Sequence, residues 1–140
     1  MVYCIELDFP GTKEHLEFID NTLTNFLKET GIEEYKKFRF ALHEIIINSI
    51  QVICANEDPE RNTTLRVRVE VSQEEISAVV TDWMKGIKKS KEAIIDAYDP
   101  VENLWNEEGR GIPLIEKMVD SYTWNLDEEG AFHVYISSNV

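Results

Sequence analysis

The chain is predicted to fold as a two-layer α/β sandwich, with a mixed, mostly antiparallel sheet and helices on one face. Two observations support this. Four of the five strand-like segments come as two hairpins, each a pair of alternating apolar runs joined by a short polar turn, and not as strand–helix repeats. Two long helical patterns stand between the first strand and those hairpins, and their apolar stripes need a second layer to bury against. A length of 140 residues, 43% of them hydrophobic and 29% charged, is that of one globular domain, residues 1–140, with a single core.

The elements follow in order. Tyr3, Ile5, Leu7 and Phe9 alternate with Cys4, Glu6 and Asp8, the period of a strand. From about Thr12 to Glu29, Leu16, Ile19, Leu23, Phe26 and Leu27 recur at helical spacing, and Gly31 is a stop signal. Residues from about Glu33 to Ala55 form a second, more apolar helix, whose broad face of Phe38, Leu42, Ile45, Ile46, Ile50 and Ile53 requires deep burial. A polar stretch from Asn56 to Thr64, broken at Asp58-Pro59, leads into the strand of Leu65, Val67, Val69 and Val71. The chain turns through Ser72 to Glu75 and returns from Ile76 to Thr81, with Asp82 at the strand's end. Met84 to Glu108 carries only a short helical pattern near Lys89 to Tyr98, and a long segment of this kind is usually a lid or a disordered stretch. Gly111 to Asp120 reads as a helix with Pro113 in its first turn. A last hairpin closes the chain, Tyr122 to Leu126 out and Phe132 to Ile136 back, around Asp127 to Gly130.

Charge narrows the function. Fourteen basic side chains against 27 acidic ones leave a formal charge of -13. That balance disfavours contact with nucleic-acid phosphates or anionic lipid and favours a basic protein partner. The first ten residues lack the basic and apolar regions of a secretion signal, and no segment reaches the ~18 apolar residues of a membrane span, so a soluble, cytoplasmic protein is expected. Cys4 and Cys54 have no metal-binding spacing and are read as free, buried thiols.

Three motifs carry chemistry. Glu44 and Asn48 are four residues apart on an apolar helix, so they share a face one turn apart and can reach one ligand. A carboxylate there can take a proton from a hydroxyl, and an amide oxygen is a hard ligand that suits Mg²⁺. Either residue could equally be a polar group on a wet helix face, but the surrounding Ile45, Ile46, Ile47 and Ile50 leave little of this helix for water. Asp82 ends the run Ala78-Val79-Val80, where its carboxylate can accept a hydrogen bond from an exocyclic amine such as adenine N6, and Gly86 lets the chain pass close to a base. The bland reading of Asp82 is a turn residue. Gly109-Arg110-Gly111 before a helix suits an anion, through close backbone approach, helix N-terminal amides and the guanidinium. Its bland reading is a linker with one solvated arginine.

The motifs, in this order, resemble those of the GHKL (histidine-kinase-like) ATPase superfamily, its N-box, G1-box and G2-box, over almost the whole chain. The N-box run Ala41-Leu42-His43-Glu44-Ile45-Ile46-Ile47-Asn48-Ser49-Ile50-Gln51 and the run Gly109-Arg110-Gly111-Ile112-Pro113-Leu114-Ile115 are most similar to anti-sigma-factor serine/threonine-protein kinases. The resemblance implies the Bergerat fold of that superfamily, ATP and Mg²⁺ as cofactors, and Glu44 as the base toward a substrate serine. It implies Asn48 as the Mg²⁺ ligand and Asp82 and Gly86 as the adenine end of the site. Gly109, Arg110 and Gly111 would lie at the phosphates, and residues 84–108 would be the lid. It also implies a sigma factor and a small anti-anti-sigma (STAS-type) protein as partners, and a homodimer. Three departures stand against it: Met84 replaces the first glycine of Asp-x-Gly-x-Gly, Ala131 stands where a threonine often follows the last glycine, and Val52 replaces a histidine after the N-box. They leave open the alternative of a degenerate regulatory binding module without kinase activity.

Overall fold

A computed structural model describes residues 1–55, 63–84 and 115–140. The elements are β1 (Tyr3–Pro10), a 3-10 turn (Lys13–His15), α1 (Leu16–Glu29), α2 (Lys36–Cys54), β2 (Thr64–Val71), β3 (Glu75–Asp82), β4 (Ser121–Leu126) and β5 (Phe132–Asn139). Residues 115–118 are also helical. Helix α2 starts three residues later than the spacing predicts, and the first helix begins as the 3-10 turn. The stop at Gly31 is borne out, its N–H donating to the Lys28 carbonyl at 3.2 Å. The Asn56 turn region lies mostly outside the described residues, as do the lid beyond Met84 and the first turn of the helix expected from Gly111.

The five strands form one sheet in the order β1-β2-β3-β5-β4, and every pair among the described residues is antiparallel. The expected mixed sheet is thus purely antiparallel here, because both hairpins close and β1 lies antiparallel beside β2. The β2–β3 turn is tied by Ser72, whose Oγ accepts from the Glu75 N–H at 3.0 Å. Its own N–H donates to the Glu75 carbonyl at 2.8 Å.

Register aligns residues into rows across the sheet. One face carries Leu7, Val67, Val80, Val134 and Trp124 in one row and Ile5, Val69, Ala78, Ile136 and Tyr122 in the next. These pack with Ile19, Leu23 and Leu27 of α1 and Leu42, Ile46 and Ile50 of α2 into a single core. Each fully buried aliphatic side chain of this set contributes roughly 1.5–3 kcal/mol. Tyr122 sits at the margin, and burial, with the Glu116 carboxylate nearby, pushes its phenol up to about 12. The opposite face is polar: Asp8 accepts two hydrogen bonds from Arg66, and Arg68 donates to Glu70.

The cysteines correct one expectation. Both are free, as expected, but exposed rather than buried. Cys4 takes the polar-face parity of edge strand β1, and Cys54 lies in the last turn of α2, beyond the apolar stripe.

Candidate functional site

Four chain segments converge at one end of the sheet. Register puts Phe9, Leu65, Asp82, Phe132 and Leu126 in a single row, so the end of β1, the start of β2, the end of β3 and the β4–β5 turn lie side by side. The C-terminal end of α2 reaches the same place. Gly11 donates its N–H to the Thr63 carbonyl at 2.9 Å, and the Cys54 thiol points at the Gly11 carbonyl, 3.7 Å away. A Cβ on Gly11 would collide with Ile53 Cδ1 and stand 3.1 Å from the Thr63 carbonyl oxygen, so a side chain here would force its neighbours to shift.

That anchor places the helix motif. At 1.5 Å per residue, Asn48 lies about 7.5 Å and Glu44 about 13.5 Å back along the α2 axis from Ile53. Both are half-buried at the border of the apolar stripe. His43 lies on another side of the helix and accepts or donates through Nδ1 to Asp20 of α1 at 2.8 Å. With roughly 100° of turn per residue, Glu44 and Asn48 sit about 100–140° around the helix from that α1 contact. They therefore flank α2 on the side away from α1, and α2 itself packs over β3 and β5.

Asp82 is a buried carboxylate, 1% exposed, on the apolar face and next to the central hairpin's end. Carboxylates are rarely enclosed in this way unless partnered. One partner is the Met84 N–H, which donates to Oδ1 at 3.4 Å. Met84 stands where the G1 pattern has glycine, and its side chain is packed into the core at 3% exposure. No non-glycine residue among those described has a positive φ, so the position does not demand a glycine conformation. Trp83 turns to the other face, where the Arg66 guanidinium lies 5.2 Å from its ring centroid.

The β4–β5 turn lies at the same end of the sheet. Asp127 Oδ1 accepts from the N–H groups of Glu129 and Ala131 at 2.9 and 2.8 Å, and Gly130 takes a φ of 87° that other residues rarely adopt. Asp127 Oδ2 is 3.0 Å from His133 Nε2, and His133 Nδ1 is 2.9 Å from the Thr81 hydroxyl. The His133 hydrogen bond, then the Ala131 N–H, holds the Asp127 carboxyl below its usual range. Ala131 is buried, and Phe132 stacks on Trp124 with centroids 5.3 Å apart.

The structure thus brings the Glu44–Asn48 helix and Asp82 to adjacent layers. Gly86, Gly109, Arg110 and Gly111 lie outside the described residues. Thr81, His133 and Asp127 were not foreseen, and no sequence signal marks them, since the partners are 52 and six positions apart. Among the described residues no three His, Cys, Asp or Glu side chains gather to hold a metal. A single amide ligand such as Asn48 fits Mg²⁺, which keeps waters and phosphate oxygens as its other ligands. No helix among the described residues is long and apolar enough to cross a membrane.

No curated protein matches the chain. Among solved structures, it is similar to a chain in the crystal structure of the SiaB-SiaC complex from Pseudomonas aeruginosa, at 13% identity and a TM-score of 0.49, covering 97% of this chain and 89% of that one. The profile of the histidine kinase-like ATPase domain matches residues 9–134, from the end of β1 into β5. With the antiparallel sheet, the helices on one face and the buried aspartate at the end of β3, the chain belongs to the histidine kinase-like ATPase domain family.

Proposed function

We propose that this protein is an ATP- and Mg²⁺-dependent serine kinase of the anti-sigma type, which phosphorylates a small anti-anti-sigma protein and sequesters a sigma factor. The observation that carries the reading is the pairing of Glu44 and Asn48, one turn apart and half-buried on α2, with the buried Asp82 at the sheet end that α2 reaches.

In this reading Asp82 accepts from the exocyclic amine of adenine and sets the base in place. Asn48 contributes its amide oxygen to the metal, which when bound shields the phosphate charge. Glu44 orients the substrate hydroxyl and takes its proton, while Arg110 between Gly109 and Gly111 meets the terminal phosphate. Gly86 passes beside the base. The net charge of -13 suits a basic partner surface such as sigma-factor helices. A cytoplasmic location and a homodimer complete the proposal.

The test is calorimetric titration of the full chain with ATP and ADP, with and without Mg²⁺, followed by phosphate transfer to the cognate small regulator. Saturable binding strengthened by Mg²⁺ and lost in Asp82→Asn supports the site, and intact transfer by Glu44→Ala would overturn the role given to Glu44. A second reading has a specific observation in its favour: Met84 fills with a core side chain the place of a glycine, and Ala131 supplies no hydroxyl. It describes a binding module that kept the fold and lost the nucleotide. A folded sample that binds nothing at millimolar nucleotide would select it.

A further inference from the structure

The hydroxyl, imidazole and carboxylate of Thr81, His133 and Asp127 form a continuous chain on the polar side of the sheet, directly behind Asp82. Its polarity follows from chemistry. An ionised Asp127 can only accept, so His133 carries its proton on Nε2 and donates it to Asp127 Oδ2. In the neutral ring Nδ1 is then the acceptor, and the Thr81 O–H donates to it. This is the order of a nucleophilic triad, but Thr81 is 5% exposed, so its oxygen is closed to any substrate.

Position gives the chain another role. Thr81 and His133 are direct cross-strand partners, and each is followed or preceded by a member of the next pair, Asp82 and Phe132. Asp127 Oδ2 holds the ring while its Oδ1 holds the Ala131 N–H. One carboxylate thereby couples the turn to the strand ends on which Asp82 sits. We propose that Thr81, His133 and Asp127 are a positioning relay, set by the Nε2–H tautomer of His133, that fixes Asp82 and the Ala131–Phe132 backbone for the base of a nucleotide. The inference rests on the reading of Asp82 as the base-binding residue.

The experiment combines ADP titration of the full chain with ¹⁵N spectra of the His133 ring and amide exchange at Met84 and Phe132. It uses the wild type, Thr81→Val, Thr81→Ser and Asp127→Asn. The wild-type ring should be in the Nε2–H form. Asp127→Asn keeps an oxygen for the turn but presents N–H to the ring, and should invert the tautomer. Loss of one hydrogen bond in Thr81→Val should weaken ADP binding about three- to tenfold and speed exchange at Met84 and Phe132, and Thr81→Ser should restore both. Unaltered ADP affinity in both Thr81→Val and Asp127→Asn, or an Nδ1–H ring in the wild type, overturns the relay. If the wild type binds no ADP, the nucleotide reading falls by itself. Exchange at Met84 and Phe132 that Thr81→Val leaves unchanged then overturns the relay separately.

Discussion

The two faces of the sheet are made by the same strands and obey different rules. On the helix-covered face, Leu65, Val67, Val69, Val80 and Ile76 are enclosed almost completely. On the other, Asp8, Arg66, Arg68 and Glu70 form ion pairs that keep much of their surface in water. Each face breaks its rule at the same end. Asp82 puts a carboxylate into the apolar layer, and a buried Thr81 bonded to a half-buried His133 puts polar groups into the open one. Burying polar atoms is unfavourable unless they are partnered, and at this end both layers place polar side chains among buried neighbours.

The sharpest test of that contrast is a truncation on the covered face. Leu65→Ala should cost about 2–5 kcal/mol in urea unfolding, because it leaves a cavity between sheet and helices. A loss under 1 kcal/mol would mean that the face is not the continuous core described. Gly11→Ala should cost about 1–3 kcal/mol, since the new methyl meets Ile53 and the Thr63 backbone where α2 approaches the sheet end. The measurement is the same unfolding curve, and a neutral result would show that this corner repacks freely.

Smaller effects follow from titration. Asp127 has a lowered carboxyl pKa in the fold, chiefly through His133, so its stabilisation is complete above the unfolded value of about 3.9 and is lost as pH falls through the folded one. Asp127→Asn should therefore flatten the acid limb of the stability profile, and an unchanged limb would remove Asp127 from it. The sign reverses at Tyr122, whose pKa is raised to about 12. Stability tied to its neutral phenol is present below pH about 10 and fades as pH rises toward the folded value, a loss that Tyr122→Phe should abolish. Least of all, Arg68→Ala on the open face should leave the unfolding curve nearly unchanged, because its pairs with Glu6 and Glu70 are exposed and screened. A cost comparable to that of Leu65→Ala would erase the distinction between the faces.

Much of the fold was legible in the sequence because its signals are local. The alternation of Leu65 to Val71 and of Phe132 to Ile136 states which side of each strand is apolar, and the Ile-rich stripe around Glu44 and Asn48 states that this helix is covered. The strand-end position of Asp82 could likewise be read from the apolar run before it. The cysteines were misjudged because apolar neighbours along the chain do not report the face to which a side chain turns.

What the sequence determined by itself is therefore the identity and two-sidedness of each element, the order of the motifs and the one-turn spacing of Glu44 and Asn48, all consequences of helical and strand periodicity. What only the tertiary structure decided is the company each element keeps. It set β1 beside β2 and β5 between β3 and β4, brought Gly11 under the end of α2, and closed Thr81, His133 and Asp127 into one chain behind Asp82. Register between distant strands depends on the packing of the whole sheet against its helices, and no local pattern carries it.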